Sequence, residues 1–152
     1  MLRSFLIGLV AGQRGITPLA VTAAGARQGT LPASAPLQRL IGNRFVAGGS
    51  VALAAAEMAG DKMKSAPDRV VPAGLFVRTL TSAYAGAAMA PRGQRAAGAA
   101  VAAVTALGAS YIGWRLRCAA MKRWGQTRTG FVEDALVLGS GLAIALSGPD
   151  RR

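Results

Sequence analysis

The stretch AAGAAVAAVTALGASYIGW, residues 96–114, runs for 19 residues without a charged side chain. A helix needs about 20 mostly apolar residues to cross the hydrocarbon core of a bilayer. The stretch also lacks a polar stripe at helical spacing, which a surface helix of a soluble domain would carry. These features predict a membrane-spanning helix rather than a soluble, alanine-rich helical domain.

Four other apolar segments accompany this stretch, separated by runs that contain prolines and most of the basic residues. The segments cover about residues 4–26, 45–61, 70–90 and 130–147, and residues 115–128 are predicted to form a basic connector. A chain of 152 residues is long enough for one domain. We therefore predict an all-α fold, a single transmembrane domain over residues 1–152 built as an integral membrane bundle of about five short helices.

Small residues supply much of the apolar content. The chain is 52% hydrophobic but only 5% aromatic, and it contains 33 alanines and 20 glycines. Such side chains bury little area in a soluble core, whereas in lipid they let helix backbones approach closely. The composition therefore favours a bundle in lipid.

The net charge of +12, from 18 basic and 6 acidic residues, suits either nucleic acid or anionic lipid head groups. Most basic residues fall in the predicted loops and tails, without the basic-aromatic interleaving that stacks bases. We expect the lipid bilayer, not nucleic acid, as the partner. With no histidine and one cysteine, Cys118, the sequence predicts no internal disulfide, no metal site and no cofactor.

The acidic residues occupy costly positions for a membrane protein. Four of the six, Glu57, Asp61, Glu133 and Asp134, lie in or at the ends of apolar segments. A carboxylate at mid-bilayer costs about 2.5–3.5 kcal/mol on insertion scales, so such groups face a bundle interior and find partners. The sequence predicts an intramembrane polar cluster whose members are Arg14, Thr17, Glu57, Asp61, Lys62, Arg78, Glu133 and Asp134.

Arg14 and Arg78 lie inside apolar segments and are the expected partners of these acids. In the alternative in which these charges only stabilise the structure, Arg14 neutralises Glu57; both alternatives predict contact between an arginine and a carboxylate. Glu133 and Asp134 would lie in the first turn of their helix, where negative charge also suits the helix dipole. Only one of these two carboxylates would then face the bundle.

Segment 4–26 has two unusual features. Pro18 lacks an N–H, so in a helix it would leave the carbonyl of Arg14 without its usual donor, which predicts a kink or a discontinuity. The segment also resembles a signal peptide, with Arg3 in the n-region and Ala24-Gly25-Ala26 as the cleavage site. We favour a retained helix, because Arg14 and Pro18 interrupt the apolar run before that site.

Three weaker patterns concern topology. An arginine-bearing segment followed by an acid-bearing segment occurs twice, which suits a weak inverted repeat. Trp114 and Trp124 flank basic clusters and are expected to anchor helix ends at the membrane interface. The distribution of basic residues favours a cytoplasmic amino terminus.

Two acidic runs, residues 56–62 (AEMAGDK) and 131–138 (FVEDALVL), resemble the signatures of a bacterial membrane family catalogued as domain of unknown function 4126. The resemblance covers nearly the whole chain and includes Gln13-Arg14, Asp68 and Arg78, although Gln13 stands where the family carries a small residue. It implies a multi-pass protein of the bacterial inner membrane and brings no settled activity.

Charged residues in apolar segments cost free energy in a membrane, so their presence favours a function that needs them. We predict a small channel or transporter, in which the polar cluster binds an ion or small solute near the midplane. The alternative is a non-transporting scaffold or assembly factor whose charges fix its packing, with a second copy or another membrane protein as partner. A lipid-modifying enzyme is disfavoured, because no nucleophile pairs with a base and no clear carboxylate repeat could hold Mg²⁺.

Overall fold

The residues that the structure describes, 1–63 and 70–148 of a computed structural model, form helices joined by loops and turns. Those ranges contain no strand, so the predicted all-α class is confirmed. Within the described ranges, seven helices take the place of the five predicted segments: α1 (Leu2–Gln13), α2 (Thr17–Arg27), α3 (Gln38–Ile41), α4 (Arg44–Gly60), α5 (Pro72–Met89), α6 (Arg95–Trp124) and α7 (Gln126–Leu146).

The 30-residue helix α6 is the central support of the bundle. At a rise of 1.5 Å per residue it is about 45 Å long. α1 and α5 pack more extensively on α6 than on any other helix. The buried side of α6 is a stripe of small residues that comprises Gly98, Ala102, Ala106, Ala109, Ser110 and Gly113. Small residues at such contacts are typical of helices that associate in lipid.

Glycines on α1 and α5 make this close approach possible. A Cβ added at Gly12 would stand 2.4 Å from the Cβ of Ala109, and one added at Gly86 would stand 2.4 Å from the Cβ of Ala102. Gly108 of α6 has open space instead. Glycine is therefore required at Gly12 and Gly86 by a neighbouring helix.

α6 extends ten residues beyond the predicted segment 96–114, so the basic connector predicted over residues 115–128 is wrong. No helix-breaking residue occurs between positions 115 and 124. The helix ends at Trp124 and is followed by Gly125, whose φ of 81° is readily adopted only by glycine. α7 begins on the next residue, four positions before the predicted segment.

The first predicted segment, 4–26, is two helices rather than one kinked helix. α1 ends at Gln13, and Arg14 is extended, with φ −141° and ψ 124°. Pro18 is the second residue of α2, where its missing N–H costs no intrahelical bond. The discontinuity that was predicted is present, but it lies at residues 14–16 and precedes the proline.

Arg3 ties the start of α1 to the end of α7. Its Nε donates to the carbonyl of Ile144 at 3.1 Å, and its Nη2 donates to the carbonyl of Ala145 at 3.0 Å. A cation beside the last carbonyls of a helix also complements the helix dipole. α1 and α7 are therefore antiparallel, with this contact at one end of the pair.

Large apolar side chains lie on the outside of the bundle. Val104 and Ile112 of α6, with Val132 and Leu136 of α7, are between 63% and 70% exposed. By length and composition, α6 and α7 are the two described helices able to cross a membrane, and most of each apolar window is not buried by the rest of the bundle. This finding supports association with a membrane without establishing five spans.

We expect Gly12→Ala to destabilise the protein by about 1–3 kcal/mol, because the added methyl group forces α1 away from α6. The matched control is Gly108→Ala, which should be neutral or stabilising by up to about 1 kcal/mol, since alanine is the better helix former. Thermal unfolding of the purified variants measures both effects. Equal stability of the two variants would contradict the close α1–α6 contact.

Candidate functional site: a charge network at a broken helix

Arg14, at the break between α1 and α2, is the most buried charged side chain among the described residues, at 1% exposure. Its Nε and Nη2 donate to Oδ1 of Asp134 at 2.8 and 2.5 Å. Its Nη1 lies 2.8 Å from Oδ2 of Asp61. One guanidinium thus connects the end of α1 to α7 and to the C-terminal end of α4.

Arg117 of α6 extends these contacts on one side. Its Nη2 lies 2.7 Å from Oδ2 of Asp61, and its Nη1 lies 2.6 Å from Oε2 of Glu133. Nη2 also donates to the backbone carbonyl of Asp61 at 3.2 Å. Arg117 therefore joins α6 to the end of α4 and to α7.

Lys62 completes the arrangement on the other side. Its Nζ pairs with Oδ2 of Asp134, donates to the carbonyl of Met58 at 2.9 Å and lies 4.7 Å from the ring centroid of Phe131. Cations and anions alternate through what we call the charge network, in the order Lys62, Asp134, Arg14, Asp61, Arg117, Glu133. With three formal charges of each sign, the network is neutral.

Glu57 binds the broken backbone itself. The N–H of Gly15 donates to Oε1 at 2.7 Å, and the N–H of Ile16 donates to Oε2 at 2.9 Å. On the opposite side, the hydroxyl of Thr81 donates to the carbonyl of Gly15 at 2.6 Å. A carboxylate at the start of α2 also suits the positive end of the helix dipole. Side chains of α4 and α5 therefore satisfy backbone groups that the helix break leaves free.

Two predicted members lie beside the break and outside the charge network as defined. Arg78 of α5 is 5% exposed, and its Cγ lies 3.3 Å from where a Cβ on Gly15 would stand. Thr17 is fully buried, and its hydroxyl has no hydrogen-bond partner in the described part of the chain. Asp68, which the family resemblance includes, lies outside the described residues.

Two expectations about these carboxylates are wrong: one alternative for the partner of Glu57, and the helix position of Glu133 and Asp134. Arg14 does not neutralise Glu57, because the break turns backbone N–H groups toward that carboxylate and the arginine toward Asp61 and Asp134. Glu133 and Asp134 are not in a first turn, because α7 begins at Gln126. Both carboxylates reach the charge network, so the helix dipole does not explain their position.

Sequence reasoning missed Arg117 and Gln126. Arg117 was assigned to a connector, yet it stands four residues after Gly113 and continues the buried stripe of α6. That helical phase was the signal that could have found it. Gln126 donates through Nε2 to the carbonyls of Asp61 and Met63, at 3.3 and 3.2 Å, and its sequence surroundings carried no comparable signal.

The tryptophans lie on the half of α6 that leads to the charge network. Trp114 is half-buried, and Trp124, the last residue of the helix, is 60% exposed. The guanidinium of Arg123 lies 5.5 Å from the Trp124 ring centroid. The role of both residues as interface anchors stays a prediction.

A cavity of about 690 Å³ opens between α6 and α7. Its wall is mostly apolar, with Leu116 of α6 and Val132 and Leu136 of α7. Arg117 and Glu133 line it as well, so the cavity meets one end of the charge network. In the described part of the chain, no group of three or more histidine, cysteine, aspartate or glutamate side chains is arranged to hold a metal ion.

Comparison of the chain with protein-family models, with curated proteins and with solved structures finds no match. The resemblance to the domain of unknown function 4126 family therefore stays a prediction, and function has to be argued from the geometry above.

We expect Arg117→Met to destabilise the protein by about 3–5 kcal/mol, because it leaves the partly buried Asp61 and Glu133 carboxylates without their shared cation. Arg115→Gln removes an equal charge from an exposed position on the same helix and should change stability by less than about 0.5 kcal/mol. Denaturant unfolding measures the stability of the two variants. An Arg117→Met variant as stable as the wild-type protein would show that the network adds little to stability.

Proposed function

We propose that the protein is a multi-pass integral membrane protein of the bacterial inner membrane. The observation that carries this proposal is the distribution of side chains: the interior is rich in alanine and holds the paired charges, and more large apolar side chains are exposed than buried. A soluble protein rarely exposes large contiguous apolar surface. In a bilayer the same surface faces lipid, and the interior can hold charges that are mutually paired.

The depth of the charge network fits this setting. Eleven residues separate Arg3 from Arg14 on α1, and eleven separate Asp134 from Ala145 on the antiparallel α7. At 1.5 Å per residue the network stands about 16 Å from the Arg3 end of the bundle. Half of a typical hydrocarbon core is about 15 Å. The costly charges would therefore lie close to the midplane.

We expect the protein to stay in the membrane pellet when bacterial membranes that contain it are washed with alkaline carbonate, because its outward apolar surface is held by lipid and not by charge alone. A peripheral membrane protein of similar size serves as the control and should be released. Recovery of the protein in the wash, or folded in the cytosol without detergent, would contradict the membrane assignment.

Within the membrane, the function supported best is that of a scaffold whose charge network locks its helices together. The network is neutral, and its side chains are between 1% and 17% exposed. Glu57 is occupied by two backbone N–H groups of the same chain. Each of the six charges of the network is paired with an opposite charge among the described residues. The same pairing holds α1, α4, α6 and α7 in one arrangement, as a platform for another membrane protein requires.

A small channel or transporter is the second candidate function. A helix broken at membrane depth, beside charged residues, is typical of sites at which transporters bind solutes. The cavity between α6 and α7 reaches Arg117 and Glu133, and so leads to the network from outside. On this hypothesis Arg117 and Glu133 separate to admit an ion or small solute.

Glu57→Gln tests the role of Glu57 at the helix break, and flux through the wild-type protein distinguishes the two functions. Glutamine keeps one acceptor oxygen for the break and loses the other, so we expect a cost of about 1.5–3 kcal/mol and a lower melting temperature. Under the scaffold function, proteoliposomes containing the wild-type protein pass protons, cations and small anions no faster than empty liposomes.

The control variant Arg92→Gln removes a charge from the exposed turn between α5 and α6 and should melt like the wild-type protein. Wild-type flux above that of empty liposomes, retained by Arg92→Gln and lost in Glu133→Gln, would overturn the scaffold function in favour of transport. Unchanged melting of Glu57→Gln would contradict the role given to Glu57.

A further inference from the structure

α6 and α7 follow each other directly through Gly125, yet they pack mainly on other helices. α6 lies against α1 and α5, whereas α7 lies chiefly against α2. The space left between these consecutive helices is the cavity of about 690 Å³ described above, which we call the α6–α7 groove. It is within the range of about 300–1,000 Å³ that is usual for small-molecule sites.

The groove has an apolar wall and a basic mouth. Leu116, Val132 and Leu136 form the wall, and Trp124 and Arg128 stand near the α6–α7 junction. Arg117 and Glu133, which also line the groove, neutralise each other. Arg128 is therefore the lining residue whose charge is not balanced within the groove, and Lys122 and Arg123 in the last turn of α6 add to the positive potential there.

We infer that the α6–α7 groove binds an anionic phospholipid, with one acyl chain against the apolar wall and the phosphate at Arg128. This inference rests on the proposed membrane location. An acyl chain matches the wall because neither presents hydrogen-bonding groups, and basic pockets between membrane helices favour anionic head groups. Trp124 suits the same position, since its amphipathic ring prefers the head-group level.

Other occupants fit the groove less well. A polar solute would lose its hydration against Leu116, Val132 and Leu136 without compensating hydrogen bonds. A second copy of the chain would bring a further net charge of +12 to a mouth that is already basic. A lipid with no net charge would pack against the apolar wall but would not neutralise the charge of Arg128.

The test uses the purified protein in neutral detergent, with phosphatidylglycerol or phosphatidylcholine of identical acyl chains added in steps. We expect phosphatidylglycerol to bind at least about tenfold more tightly, as measured by melting-temperature titration and by retention of one lipid in native mass spectrometry. Arg128→Gln should lower the affinity for phosphatidylglycerol about tenfold and leave that for phosphatidylcholine unchanged. Arg95→Gln, a basic residue at the opposite end of α6, is the control and should behave as wild type.

Glycerol phosphate, which carries the charge without the chain, should produce no shift at matched concentrations. Equal binding of the two lipids, an unaffected Arg128→Gln variant, a shift by glycerol phosphate alone, or a dimer that excludes lipid would each overturn the inference. A protein that reconstitutes in phosphatidylcholine vesicles without this preference overturns the lipid site alone. A protein that needs no detergent or lipid overturns the membrane proposal as well.

Discussion

The contact of Arg14 with two carboxylates is the interaction on which the rest of the arrangement depends. The side chain is almost fully buried, so its charge is tolerable only with partners in place. Asp61 brings the end of α4 to it, and Asp134 brings the middle of α7. Arg117 then attaches α6 through Asp61, so helices that are distant in sequence meet at one neutral centre.

The break at residues 14–16 and this centre support each other. An extended Arg14 can point its side chain at α4 and α7, whereas inside a helix its direction would be set by the helical phase. The break in turn frees backbone groups, and Glu57 and Thr81 satisfy them. Removing either set of contacts would leave its polar partners unsatisfied in an apolar interior.

Much of the charged site was predictable from the sequence, because a charge inside an apolar segment stands out against its cost. Arg14, Asp61, Glu133 and Asp134 were found in this way, and the structure brings them together. Which cation meets which acid was not predictable. The pairing depends on the helix break at Gly15, which the composition does not predict, and on the register of the helices.

α6 gives a second example of a feature that the sequence pattern alone could not predict, namely the direction of its basic side chains. Arg115 and Arg117 are two residues apart, about 200° around a helix, so the first is exposed and the second is buried. When charge and hydropathy are averaged over a window of sequence, both arginines suggest a basic loop. The direction of each side chain follows only from knowing that the helix continues to Trp124.

The 120-residue separation between Arg14 and Asp134 has a consequence for biosynthesis. At about 5–20 residues per second, roughly 6–24 s pass between translation of the arginine and of its α7 partner. In a membrane setting the guanidinium meets Asp61 first and otherwise stays near the interface, where a long side chain reaches water. Deep burial of Arg14 is therefore a late event, because it requires α7 to have been made.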